Sequence, residues 1–506
     1  MRTKMINPDK VYLLNPHYHL RHDVHRVVLF ARGGTDQECS RNWQGFIHPL
    51  QAALLSFFTH NRTMGETLPL LCDYFCKSAR TMEKWIAEFI ENPHPIYTGS
   101  PQGRIYFPKR VLIEAEKAGS HLRFDCLDAG NFIWKKLDLK TRRLYTGPAI
   151  ITLMLTNRCI THCKYCYADT NTAVTNPLPT GRIMELIDEA ARMQVKQVNL
   201  MGGELFLHKE WQRILKRLVE LDIAPEYIST KMPMDSKKIT ALTGTDYRGT
   251  LQVSLDACDE KILQASIGTG KGYAEAMLKG LQMLDESSLD YQVSSVLTTY
   301  NCNLPAMERM LQRLAALKRI RDWRIVPVNN SITKEYGEFI HLKPKQEQII
   351  TLFNQMRPLM AQHNSLSVIL GEEVLKKQFM KAEGGSCNFG GSECSALTTH
   401  LFILPDGKTT ICEQLYWNPH FIIGDVTRES LQEVWNSPRA LQLYHLTQND
   451  ISPQSPCREC MLFDTCFGYQ NRCWSDIIKA YGANCWDFPD PRCRFAPDMK
   501  NRLDYE

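Results

Sequence analysis

The chain has 506 residues, 43% apolar and 23% charged, with a formal net charge of +5. That length exceeds one ordinary domain and predicts two to four, with apolar residues enough for real cores. So small a charge argues against dedicated nucleic-acid binding, no apolar run reaches the length of a membrane span, and a start, MRTKMINPDKVYLL, without an apolar signal core predicts a cytoplasmic protein.

Residues 1–95 form the first predicted domain. Apolar alternation at Val11–Leu14 and Val24–Phe30 predicts a small sheet, with a third strand near Trp43–Ile47. Helices are predicted at Pro49–Phe58, Met64–Phe75 and Ala79–Ile90, the first with Leu50, Ala53, Leu54 and Phe57 on one face. Three strands followed by three helices resemble a winged-helix module, and the modest basicity makes DNA a poor ligand for it. Residues 96–148 are predicted as a connector, with a turn at GSPQG (99–103) and a solvated basic stretch at Lys135–Arg143.

From 149 to 345 strand-like and helix-like runs alternate. Strands are predicted at 149–155, 195–201, 225–230, 250–256, 290–298 and 322–328. Between them lie amphipathic helices such as Glu210–Leu221, with Trp211, Ile214, Leu215, Leu218 and Leu221 along one face, and 305–317, which opens on Pro305 and carries Met310, Leu311, Leu314 and Leu317. Six strand–helix units predict an α/β fold, a parallel sheet curled into a six-stranded partial (β/α) barrel.

The first of these strands runs into NRCITHCKYCY, which holds Cys159, Cys163 and Cys166. Four thiolates complete the shell of a four-iron, four-sulfur cluster, and three leave one iron open. A structural zinc would want a fourth ligand; His162 is at hand but sits inside the first spacing. An incomplete metal site at a strand end is where α/β enzymes place their chemistry. After the second strand comes Met201-Gly202-Gly203-Glu204, in which two glycines let a backbone approach a ligand and a carboxylate can accept from an ammonium. Thr230 ends the third strand, and Ser254 and Asp256 end the fourth. Each can bond a ribose or carboxylate, or equally cap the next helix; Asn301, after the fifth strand, is a similar candidate.

Eighteen cysteines are many for a reducing compartment, where disulfides are disfavoured. Cys387, Cys394, Cys412, Cys457, Cys460, Cys466, Cys473 and Cys485 are candidate ligands in the last third of the chain, with Cys493 competing for the last place. Eight cysteines fit two four-cysteine sites, and two zincs or two iron–sulfur clusters satisfy that count equally.

With Tyr165 just before its last cysteine, the Cys159 loop resembles the signature of the radical S-adenosylmethionine (SAM) enzymes. That resemblance implies that Cys159, Cys163 and Cys166 bind a cluster whose open iron is chelated by SAM, and that an electron from it releases a 5'-deoxyadenosyl radical. The GGE triplet resembles the family's GGEP motif, which holds the SAM amino group, with Leu205 in place of proline; the SLDA segment at Ser254 resembles a common SxDG-like stretch. The implied SAM contacts are Tyr165, Gly202, Gly203, Glu204, Thr230, Ser254 and Asp256, while Lys231 stands where asparagine is usual.

The cysteine order of residues 346–506, with HFIIGDVTRESLQEVW between Cys412 and Cys457, resembles the SPASM extension of this family, reached through a bridging helix. It implies one auxiliary cluster on Cys387, Cys394, Cys412 and Cys473 and another on Cys457, Cys460, Cys466 and Cys485, three four-iron clusters in all. Gln470 occupies the usual cysteine position for which Cys473 substitutes. At the other end, HLRHDVHRVVLF and GFIHPLQAALLSFFTHNRTMGETLPLL resemble the PqqD-like peptide recognition element, in which a leader peptide adds a strand to a sheet edge.

The implied activity is modification of a ribosomally made precursor peptide by crosslink, thioether or epimerisation, with electrons from a flavodoxin or ferredoxin. For epimerisation, Cys258 or Cys302 is the candidate hydrogen donor. A second reading is a maturase of the sulfatase-maturing type, oxidising a Cys or Ser of a protein substrate. A third, an iron–sulfur DNA-binding regulator, needs neither an open iron nor a GGE loop.

Overall fold

In the computed structural model, which describes residues 6–32, 44–100, 103–118, 126–376, 394–468 and 472–505, the chain divides into two units, Met1–Ala149 and Ile150–Glu506. The first contains strands β1 (Tyr12–Leu14), β2 (Tyr18–His22), β3 (Val27–Ala31), β4 (Gln44–Ile47), β5 (Ile96–Ser100), β6 (Gly103–Phe107) and β7 (Leu112–Glu114). β2, β3 and β4 form an antiparallel sheet. Helices Pro49–Ser56, Met64–Phe75 and Ala79–Ala87 follow it, close to their predicted places. The second opens on a capping box, in which Thr63 Oγ1 accepts from Glu66 N (3.3 Å) and Glu66 Oε2 from Thr63 N (2.9 Å).

Four expectations for this unit change. Val11–Leu14 does not join the small sheet; β1 pairs with β7, and Tyr18–His22 takes the predicted place. The strand expected from Val24 starts at Val27, because Val24 adopts a left-handed φ of 57° in the turn closed by Asp23 N donating to Arg26 O (2.8 Å). The predicted connector is folded: β5 and β6 make a hairpin, with Ser100 paired to Gly103 across the expected turn, and Ile105, Phe107, Val111 and Leu112 belong to the core. The stretch expected to be solvated is anchored too, since Leu139 is buried and the Arg26 guanidinium donates to the carbonyls of Thr141 and Arg143.

The second unit contains β8 (Ile150–Met154), β9 (Gln197–Met201), β10 (Tyr227–Thr230), β11 (Thr250–Ser254), β12 (Tyr291–Leu297), β13 (Ile320–Pro327), β14 (Val368–Leu370), β15 (His400–Ile403), β16 (Lys408–Thr410) and β17 (Ile422–Asp425). β8 to β13 fall on the six predicted strand segments and alternate with helices, as parallel α/β sheets require. Trp211, Ile214, Leu215 and Leu218 of helix Trp211–Glu220 are buried. Helix Leu304–Ala315 starts where Asn303 Oδ1 accepts from Ala306 N (3.0 Å), and buries Met310, Leu311 and Leu314.

The sheet differs from the predicted six strands. Its ladders run β10-β11-β12-β13-β14 and β17-β16-β15-β8-β9, with β9 and β10 adjacent but unladdered among the described residues. β14 and β15, both from the region assigned to the C-terminal extension, pair in parallel with β13 and β8. They cover the two edges that a six-stranded sheet would leave with unpaired N–H and C=O groups. Among the described residues, no helix is long and apolar enough to cross a membrane.

Candidate functional site

β8 delivers the chain into the Cys159 loop, which is fastened by its backbone. His162 N donates to Ile267 O (2.8 Å) and Lys164 N to Ser266 O (3.0 Å). The Cys166 carbonyl accepts from Ser331 Oγ (3.0 Å) and Thr333 Oγ1 (3.3 Å). Thr161 Oγ1 lies 3.4 Å from Cys159 Sγ and 3.3 Å from Cys163 Sγ, so one hydroxyl bridges two of the thiols. Burial pushes Cys166 up to about 11, with the neighbouring Cys163 and Cys159 adding to it. Burial raises the Cys163 thiol as well, so Cys163 and Cys166 both resist deprotonation unless a bound cation takes up their charge.

All three cysteines line a cavity of about 660 Å³; His162 does not. Gly202, Gly203 and Glu204 line it from the end of β9. The two glycines permit a close approach, and the partner is the chain itself. A Cβ on Gly203 would stand 2.3 Å from Arg158 O, and one on Gly202 2.7 Å from Thr156 O. Through that contact Gly203 N donates to Thr156 O (2.7 Å) and Glu204 N to Arg158 O (2.8 Å), locking the GGE loop to the start of the cysteine loop.

The Glu204 side chain is buried and accepts from Thr230 Oγ1 (2.9 Å), Lys231 N (2.9 Å) and Phe206 N (3.3 Å). Thr230 Oγ1 in turn accepts from Met232 N (2.8 Å), so Thr230 orients the glutamate. Burial pushes the Glu204 carboxyl above its ordinary value, against these hydrogen bonds. The folded chain therefore holds that proton more tightly than the unfolded chain does. Its contribution to stability is complete below the unfolded value of about 4.3 and is lost as pH rises through the folded one. Urea unfolding between pH 4 and 7 is expected to show this decline in the parent, and a flatter profile in Glu204→Gln.

Asp256 is buried behind the wall rather than in it. Its carboxylate accepts from the Tyr165 hydroxyl, from Lys231 Nζ (3.1 Å) and from Val296 N (2.9 Å). Burial pulls Lys231 down, but the Asp256 carboxylate outweighs it and holds the ammonium above its ordinary range. Lys231 lines the cavity, as does Ser254, whose hydroxyl lies 3.3 Å from that of Ser229. Asn301 is a loop brace: Nδ2 donates to the carbonyls of Asp256 (2.8 Å) and Val296 (3.0 Å), and Oδ1 accepts from Thr298 N (2.7 Å).

Sequence reasoning passed over Thr152, Asn199, Ser229, Gln252 and Ser294, which also line the cavity. Their signal is a polar side chain inside an otherwise apolar parallel strand. It also passed over Glu413, Lys479, Arg492 and Tyr505, which close the cavity from the C-terminal region together with Cys473.

The C-terminal cysteines stand in two groups. Burial pushes Cys473 up to about 12, with Cys394 contributing, and raises Cys412, with Cys473 and Cys394 contributing; Cys387 lies outside the described residues. Burial likewise pushes Cys466 up to about 11, with Cys493, Cys457 and Cys460 adding to it. Cys485 sits in the turn Ala483–Cys485, where burial raises it and Asp487 adds to the rise. Cys493, whose N donates to Asp490 O (2.8 Å), adds to the rise of both Cys457 and Cys466. Among the described residues, no three Cys, His, Asp or Glu side chains converge closely enough to hold one ion, as zinc would require at about 2.3 Å per sulfur.

Residues 153–318 match the radical SAM superfamily, and residues 394–461 match SPASM, an iron-sulfur cluster-binding domain. The mycofactocin maturase MftC of Mycobacterium tuberculosis (strain ATCC 25618 / H37Rv) is 26% identical over 356 residues, covering 69% of this chain and 83% of its own. The PqqA peptide cyclase of Granulibacter bethesdensis is 24% identical over 368 residues, covering 69% and 88%. Streptococcus suis SuiB, in a crystal structure bound to its precursor peptide SuiA, superimposes with a TM-score of 0.62 over 97% of this chain and 100% of that chain, at 14% identity.

Proposed function

This chain is a radical SAM enzyme with a SPASM domain, and we propose that it modifies a ribosomally made precursor peptide by hydrogen abstraction. The observation that carries the proposal is the shared chamber. Cys159, Cys163, Cys166 and Glu204 open on the same cavity as Cys473 of the C-terminal cysteines. A donor set one ligand short of a closed cluster thus faces the group best placed to take an electron away. The relatives named above as a maturase and a peptide cyclase, and SuiB with its bound precursor, support a peptide as the substrate.

In this reading Cys159, Cys163 and Cys166 hold the first cluster, and Glu204 receives the SAM amino group while Thr230 and the Lys231 N–H keep its carboxylate aimed. When bound, SAM and that cluster supply a 5'-deoxyadenosyl radical. Ser254, Asn199 and Gln252 give the cavity its polar wall. Cys394, Cys412 and Cys473 hold a second cluster with Cys387, and the second cysteine group holds a third. A flavodoxin or ferredoxin supplies the electrons.

The cavity's size, within the few hundred to about 1,000 Å³ of small-ligand pockets, suits a side chain or short segment better than a folded substrate. Bond-forming oxidation is favoured over epimerisation. Neither Cys258 nor Cys302 lines the cavity; both pack against the core, Cys258 with Sγ 3.2 Å from Met310 Sδ. In the N-terminal unit, the edge of the β2-β3-β4 sheet would take the peptide's leader as an added strand.

The test is anaerobic reconstitution with SAM, dithionite and the peptide encoded beside the gene. Formation of 5'-deoxyadenosine and a peptide lighter by two hydrogens is the expected result. An unchanged peptide mass with inverted residues would move the reading to epimerisation, and no 5'-deoxyadenosine with any peptide would overturn it.

A further inference from the structure

Arg472 is a buried cation with too few partners for its charge. It is 7% exposed. Its Nη2 lies 3.6 Å from Cys457 Sγ, and its guanidinium carbon 5.3 Å from the centre of the Phe467 ring. Nε and Nη1 are buried and, among the described residues, have no hydrogen-bond partner. The nearby Arg458 contrasts with it, since its Nη1 is spent on the carbonyls of Gln448 (2.7 Å) and Ile451 (3.2 Å).

A guanidinium does not lose its proton in a protein, so Arg472 cannot escape burial by becoming neutral. A buried charge persists where a counter-charge meets it. Around Arg472 the candidates are sulfurs. It opposes the rise of both Cys457 and Cys466, and the same two thiols feel Cys460 and Cys493. Neutral thiols would leave the guanidinium unbalanced. Thiolates on an iron–sulfur cluster would balance it, and sulfur atoms of such a cluster accept the N–H groups that Nε and Nη1 hold out.

We propose that Arg472 is the built-in counter-ion of an iron–sulfur cluster held by Cys457, Cys460, Cys466 and Cys493, and that it raises the reduction potential of that cluster. Reduction adds negative charge beside a fixed positive one, so the reduced form gains more from Arg472 than the oxidised form does. This cluster then becomes the more willing acceptor of an electron leaving the chamber. The inference rests on the reading that the C-terminal cysteines hold clusters, and its test separates the two.

The full-length chain is reconstituted as parent, Cys460→Ala, Arg472→Gln and Arg472→Lys, and followed by iron analysis and by redox titration monitored by electron paramagnetic resonance. The signal lost in Cys460→Ala identifies the cluster; if no signal and no iron are lost there, the cluster reading itself fails. In Arg472→Gln that signal is expected to persist at lower potential, its reduced-to-oxidised ratio about tenfold smaller at the parent midpoint, or 59 mV for a one-electron couple. An unchanged midpoint overturns the role of Arg472. If Arg472→Gln loses the cluster, Arg472→Lys decides: retention near the parent potential supports a role of the charge, and loss in both variants overturns it.

Discussion

Cys163→Ala is expected to abolish reductive cleavage of SAM and to remove about four iron atoms per chain, leaving the iron of the C-terminal cysteines in place. Cys163 is the most buried of the loop cysteines, and it shares the Thr161 hydroxyl with Cys159. Without it two thiols remain, too few to keep a cluster with one open iron. The fold should survive, because the substitution removes a single sulfur from a loop whose position is set by the backbone bonds of His162 and Lys164. The expected effect is therefore chemical. Formation of 5'-deoxyadenosine should fall at least about a thousandfold, which is about 4 kcal/mol of barrier, while urea unfolding shifts by about 1 kcal/mol. Iron analysis checks the separation of sites. If all iron is lost, the loop and the C-terminal groups are not independent.

The cysteine loop was legible because its chemistry constrains spacing along the chain. The six strands were legible because parallel strands buried on both faces leave apolar runs. What escaped the sequence is contact between distant segments. Asp256 was visible as a strand end, but its partner Tyr165 lies 91 positions away, and only folding shows that the pair occupies the carboxylate. β14 and β15 have three and four residues, too short for any period to register, and their partners come from remote parts of the chain. Cys485 and Cys493 compete for the last place by spacing, and the nearness of Cys493 to Cys457 and Cys466, to whose rise it adds, is a matter of folding that spacing does not encode. The same limit applied to the N-terminal unit, where β1 chose β7 about a hundred residues on rather than the adjacent hairpin.

The glycines of the GGE triplet carry the other large prediction, because the structure gives them a job that sequence did not suggest. Gly203→Ala would place a Cβ 2.3 Å from Arg158 O, 2.5 Å from Arg158 C and 2.6 Å from Asn157 O. All three are backbone atoms, so no side chain can rotate away, and the 156–158 segment itself must move. Overpacking of this kind costs about 1–3 kcal/mol. Losing the bond from Glu204 N to Arg158 O (2.8 Å) adds about 1 kcal/mol. The expected loss of stability is thus about 2–4 kcal/mol, read by urea unfolding. The loss of activity should be larger in kind, since the displaced segment leads directly into Cys159 and carries Glu204 with it. A shift of about 1 Å in such a pair of loops is enough for a hundredfold fall in rate. Gly181→Ala is the matched control, because a Cβ there meets nothing within 4 Å. It should leave 5'-deoxyadenosine formation at the parent rate. Should Gly203→Ala also keep that rate, the lock between the two loops is not what aligns the cysteines with Glu204.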